Sequence, residues 1–97
     1  MNQDQLLTPD SIHGTPIRFK QTDVLQLPQE RIERLKRLHS AMTLGNHHKH
    51  KVRLSIMNAN DQLMEIKAKV WSVTEKYVIL KNSIMIPIAS ILDVKYM

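Results

Sequence analysis

The sequence predicts a mainly β fold with one N-terminal α-helix, in which five short antiparallel strands form a small barrel. Two observations predict it. From about residue 49 onward apolar side chains recur at every second position between short turn signals, the rhythm of half-buried strands. Just before that, residues 29–44 contain no glycine or proline and carry apolar residues at three- and four-residue intervals, the rhythm of an amphipathic helix. The size agrees: 97 residues make one domain, near the lower limit for a self-sufficient core. With 42% hydrophobic and 24% charged residues, the composition is that of a globular chain.

Residues 1–27 hold turn signals, Thr8-Pro9-Asp10-Ser11 and His13-Gly14-Thr15-Pro16, broken by short apolar pieces at Leu6-Leu7, Ile17, Phe19 and Val24-Leu25. Each proline disfavours helix at the residue before it, so this segment reads as an extended or partly disordered arm, with at most a short strand at 16–20. The single domain then spans 28–97. Its helix covers 28–45, opened by Pro28 in a first-turn position and stopped by Gly45-Asn46. Ile32, Leu35, Leu38 or His39, and Met42 supply its apolar stripe. Glu30 precedes Arg34, and Glu33 precedes Arg37, by the four residues that suit helix-surface ion pairs.

The barrel occupies 49–97. Val52, Leu54 and Ile56 form a first strand, and Asn58-Ala59-Asn60-Asp61 turns the chain. One long strand follows from Leu63 to Thr74, then Tyr77–Lys81, then Ile84–Ile88, then a last strand through Leu92, Val94 and Tyr96. The first hairpin's register follows from burial. Leu54 opposite Ile66 and Val52 opposite Ala68 bring apolar sets together, whereas a one-residue slip buries Glu65 and Lys67. The favoured register sets Arg53 against Lys67, Lys51 against Lys69 and Ser55 against Glu65 on the outer face.

Several function classes drop out. There is no cysteine, so disulfides, thiolate metal sites and cysteine nucleophiles are excluded. No apolar run approaches the roughly 20 residues of a membrane span, and no signal-peptide core opens the chain, so a cytoplasmic location without membrane contact is expected. Asp61, Glu65, Glu75 and Asp93 form no acid–base pair at a recognisable spacing, and Ser55, Ser72 and Ser83 sit in no nucleophile motif. No catalytic residue and no cofactor are expected.

What remains is charge. The formal net charge is +5, the pI is about 9.8, and the segment 28–51 alone carries +4. Arg31, Arg34, Lys36, Arg37, Lys49 and Lys51, together with Arg53, Lys67 and Lys69 of the hairpin, are the candidate contacts to a phosphate backbone of RNA or DNA. The competing reading is a solvated, salt-bridged face. His39, His47, His48 and His50 are weak metal candidates, because no carboxylate or cysteine lies nearby in sequence to complete a ligand set. They serve better as a loop that gains positive charge when protonated. Only four aromatics are present, fewer than single-strand binders use as stacking platforms. Among them Trp71 is expected to pack under the helix or arm. Met57, Met64 and Met85, read as outward-facing, and Trp71 form a candidate interface for a protein partner or for self-association through a strand edge.

One helix followed by five strands, with Ile86-Pro87-Ile88-Ala89-Ser90-Ile91 bridging the last two, resembles a small SH3-like barrel of the Sm-like kind. Lys69-Val70-Trp71-Ser72-Val73-Thr74, Tyr77-Val78-Ile79-Leu80-Lys81 and Ile86-Pro87-Ile88 also resemble segments of a group of small bacterial proteins. The likeness covers about 28–96. It implies a helix across an open end of the barrel and one helical turn, Ala89-Ser90-Ile91, between the last strands. Sm-like proteins bind RNA and pair edge strands into rings. This chain lacks the glycine that eases the bend of their second strand, and neither Asn58–Asp61 nor Asn82-Ser83 matches their uridine-reading loops. The resemblance therefore implies the barrel, and neither that family's RNA site nor its ring.

Overall fold

The computed structural model of the chain describes Leu7 and residues 17–97. Most of the expected arm's first half lies outside the described residues. Helix α1 runs over Pro28–His47 and is followed by six strands: β1 (Val52–Met57), β2 (Leu63–Ala68), β3 (Val70–Val73), β4 (Tyr77–Leu80), β5 (Ile84–Pro87) and β6 (Ile91–Tyr96). They form two three-stranded antiparallel sheets, ordered β2-β1-β6 and β3-β4-β5, and the sheets do not close into one barrel. The expected long strand 63–74 is two strands, broken at Lys69, which raises the count from five to six.

The alternation that predicted the strands is the alternation that fills the core. Val52, Leu54, Ile56, Ile66, Ala68, Val70, Val78, Leu80, Ile86, Ile91 and Val94 are all essentially inaccessible, and Leu38 and Ala41 of α1 close the same cluster. The first hairpin has the expected register, with Val52 opposite Ala68, Arg53 opposite Lys67, Leu54 opposite Ile66 and Ser55 opposite Glu65. Its turn forms as the residues require. The Asn58 Oδ1 accepts the N–H groups of Asn60 and Gln62, both at 2.9 Å, while Asp61 takes a left-handed φ of 60°. Asn82 and Ser83 take left-handed φ values between β4 and β5, and the helical turn before β6 is Ile88–Ser90, one residue earlier than expected.

The helix departs from its sequence reading in three ways. Its buried face is Arg34, Leu38, Ala41 and Gly45, while Ile32 and Leu35 stay exposed at 57% and 42%. The cause is tertiary. Arg34 turns inward to bond Asp23 of the arm and the Ile91 carbonyl of β6, which fixes the rotation of the helix. For the same reason the expected Glu30–Arg34 and Glu33–Arg37 pairs do not form; Arg34 pairs with Asp23, and Arg37 with Asp93. Finally, Gly45 does not end the helix. It lies within it, where a Cβ would come 2.6 Å from the Val70 carbonyl oxygen, so the glycine permits α1 to rest on β3. The left-handed stop is Lys49, at φ 57°, with the N–H groups of His48 and His50 both donating to the Leu44 carbonyl at 3.0 Å.

The described part of the arm is docked. The N–H of Lys20 donates to the Met57 carbonyl and that of Ala59 to the Arg18 carbonyl, a pairing in which Phe19 bridges Asn58. The Val24 N–H bonds the Ala89 carbonyl, and Leu7 lies parallel along β2, bonding Glu65 and Lys67.

Candidate functional site

Pairing of β1 with both neighbours arranges the outer face of the first sheet in rows. Arg53 stands opposite Lys67 on β2 and opposite Lys95 on β6, so three cations cross the sheet side by side. Two residues further along β1, Ser55 stands between Glu65 and Asp93. Positive and negative rows are thus separated by one strand repeat, and the positive one lies at the end where α1 delivers the chain into β1.

That end collects more cations. Lys49 and Lys51 are exposed in the segment entering β1, and Lys69 occupies the break between β2 and β3. The Lys81 N–H donates to the Lys69 carbonyl at 3.1 Å, which sets Lys81 beside Lys69. Lys51 and Lys69 both lie just beyond the paired residues, so their expected opposition continues the ladder without being part of it. Among the described residues, none of Lys49, Lys51, Arg53, Lys67, Lys69, Lys81 and Lys95 is within ion-pair distance of a carboxylate. This belt holds half of the chain's 14 lysines and arginines.

Of the nine cations singled out from the sequence, Lys49, Lys51, Arg53, Lys67 and Lys69 come together. Arg34 does not join them. It is 6% exposed, its Nη1 and Nη2 bond the Asp23 carboxylate at 2.9 and 2.7 Å, and its Nη1 also reaches the Ile91 carbonyl at 3.0 Å. Arg31 bonds the Leu25 carbonyl and faces Asp23, while Arg37 bonds the Val94 carbonyl and Asp93. These three arginines hold the fold, and Lys36 stays on the exposed side of α1. Burial alone would raise the Asp23 pKa. The hydrogen bonds from Arg34 and the Leu25 N–H, with the charges of Arg34 and Arg31, outweigh it and hold the carboxyl below its ordinary value. Sequence reasoning missed Lys81 and Lys95. The outward parity of Lys95, shared with Asp93, was visible, but nothing local said that β6 returns to pair with β1.

The methionine interface does not assemble. Met64 stands opposite buried Ile56 and therefore has inward parity, Met57 lies on the outer face of the first sheet, and Met85 lies on the outer face of the second, opposite Ile79. Nor does Trp71 pack under the helix or arm. It is 45% exposed, on the outward parity that follows buried Val70, and it is the extra residue of a bulge, since Val70 pairs with Leu80 and Ser72 with Ile79. His47, His48 and His50 adjoin the belt, with the rings of His48 and His50 6.2 Å apart and edge-on. Among the described residues no three metal-ligating side chains come together, His39 included.

A cleft of about 410 Å³ lined by Gln21, Asp23, Arg34, Glu75, Lys76 and Tyr77 is one concave alternative among several. Its Asp23 and Arg34 are committed to each other, which leaves it less to offer an incoming ligand. Among the described residues no helix is long and apolar enough to cross a membrane. Compared with known protein families, curated proteins and solved structures, the chain matches none of them.

Proposed function

We propose that this protein is a non-catalytic, cytoplasmic binding module whose cationic belt holds the phosphate backbone of a nucleic acid. The observation that carries the reading is the row Lys67–Arg53–Lys95, like charges set opposite across β1 with no carboxylate in ion-pair distance among the described residues. Opposed like charges destabilise a sheet by a fraction of a kcal/mol per pair, and a bound polyanion reverses the sign. Lys49, Lys51, Lys69 and Lys81 extend the row into a strip along one end of the sheet. Contacts of this kind give affinity and register but not base specificity. The order of elements supports an SH3-like assignment as well: only Lys69 separates β2 from β3, and a single helical turn joins β5 to β6.

The test is fluorescence anisotropy with a labelled mixed-sequence oligonucleotide over a salt series. Seven available cations predict a loss of affinity of about a thousandfold between roughly 50 and 200 mM salt. The combined variant Arg53→Ser, Lys67→Ser, Lys95→Ser lowers the log–log salt slope by about 0.7–0.9 per lost contact. Absence of binding at low salt, or an affinity indifferent to salt, refutes the reading.

A further inference from the structure

Resting on that reading, we infer that Trp71 is a base-stacking platform at one end of the cationic belt, so that the polymer recognised is one with unpaired bases. Three observations converge on this residue. Trp71 is the only tryptophan, and it is 45% exposed, whereas so large an apolar ring is normally covered. Its exposure is built into the strand: Trp71 has outward parity after buried Val70, and the bulge brings Val73 back onto the core. Trp71 is the unpaired extra residue between Val70 and Ser72, so no cross-strand partner lies directly opposite it to cover the ring. Bulges re-aim side chains in this way beside functional sites. Lastly, Trp71 follows Lys69 by two residues, so the two Cα atoms are within about 7 Å of each other.

The platform is also fixed. Asn46 at the end of α1 donates its side-chain N–H to the Trp71 carbonyl at 3.2 Å, and Gly45 seats the helix on Val70 next door. A ring half covered by protein and half open, beside ammonium groups that no described carboxylate pairs, is the pairing of stacking surface and charge used by single-strand binders. Of the other aromatics only Tyr96, 48% exposed and next to Lys95, also leaves a ring open beside the belt, and its hydroxyl, bonded to the Arg37 carbonyl, draws it toward α1. Phe19 packs against the core, and the Tyr77 N–H and carbonyl are tied to Thr74 at the far end of β4. With one ring, one base stacks while the neighbouring phosphates lie along the lysines. A duplex keeps its bases inside and gains nothing from Trp71.

The experiment uses the whole chain and three labelled probes of equal length: a mixed-sequence single strand, a duplex, and an abasic single strand with the same phosphates and no bases. The base-bearing strand should bind roughly tenfold tighter than the abasic one. Tryptophan emission should be quenched by the base-bearing strand alone. Trp71→Ala brings the base-bearing strand down to the abasic level without altering the salt slope, and Trp71→Tyr, which keeps a ring, restores most of the difference. If the abasic strand or the duplex binds as tightly as the base-bearing strand, with emission unchanged and the salt dependence intact, the stacking role is wrong and the belt stands. If no probe binds at low salt, the proposed function falls and the stacking role with it.

Discussion

Arg34 shows how one side chain sets more than its own position. Its guanidinium joins the arm through Asp23, the helix that carries it and the β6 backbone at Ile91. Its Nε is buried with no hydrogen-bond partner among the described residues, so the three other bonds offset that loss. Removing one member of a buried pair strands the other, so Arg34→Ala is expected to cost about 3 kcal/mol, read from urea unfolding. Asp23→Asn should cost less, because a neutral amide still accepts a hydrogen bond. The depressed carboxyl gives a pH signature too. Its stabilisation is fully present above the ordinary aspartate value near 4 and is lost as pH falls through the lower folded value. Acid titration of Asp23→Asn should therefore show a shallower loss of stability below about pH 4 than the parent chain.

At the level of elements, α1 meets β3 through an atom-scale fit at Gly45. A Cβ there collides with the Val70 carbonyl, so Gly45→Ala should destabilise by about 1–3 kcal/mol despite the better helix propensity of alanine. Melting of the variant decides it; an unchanged midpoint would show that the helix shifts freely. The cation row makes the opposite kind of prediction. Arg53→Glu replaces two like-charge oppositions, with Lys67 and Lys95, by two attractive ones, and should raise stability by about 0.5–1 kcal/mol while weakening polyanion binding. Gain of one and loss of the other in the same variant would identify the row as kept for its ligand. Glu65→Gln, one strand repeat away, should tighten binding two- to threefold, the effect of removing one charge about 7 Å off in water.

Across the whole molecule, what was legible in the sequence was what is local. Alternation gave the strands, and the cost of burying Glu65 and Lys67 gave the β1–β2 register to the residue. What was illegible depends on partners distant in the chain. The rotation of α1 hangs on Asp23, eleven residues before Arg34, and on Ile91, 57 residues after it. The periodicity alone therefore pointed to Ile32 and Leu35. The break at Lys69 falls in a run without glycine or proline, where nothing marked a bend. Five of the seven belt cations were visible in the hairpin and the segment before it, while Lys95 waited on a β1–β6 pairing between residues some forty apart. Trp71 was misplaced against its own outward parity, because the general rarity of exposed tryptophan was given more weight than the alternation.

Arg37 and Arg34 also donate to carbonyls of β6, those of Val94 and Ile91, along the rim of the first sheet. A second molecule arriving at that rim finds those acceptors already taken, and on the opposite rim Leu7 lies against β2. Among the described residues, both rims of the first sheet are thus partly occupied, which disfavours zipping of copies along that sheet on a long polymer. Occupancy should climb molecule by molecule, and a titration of a long strand should trace a hyperbola with a Hill coefficient near one; a sigmoid would mean that neighbours recruit each other by a contact elsewhere on the surface.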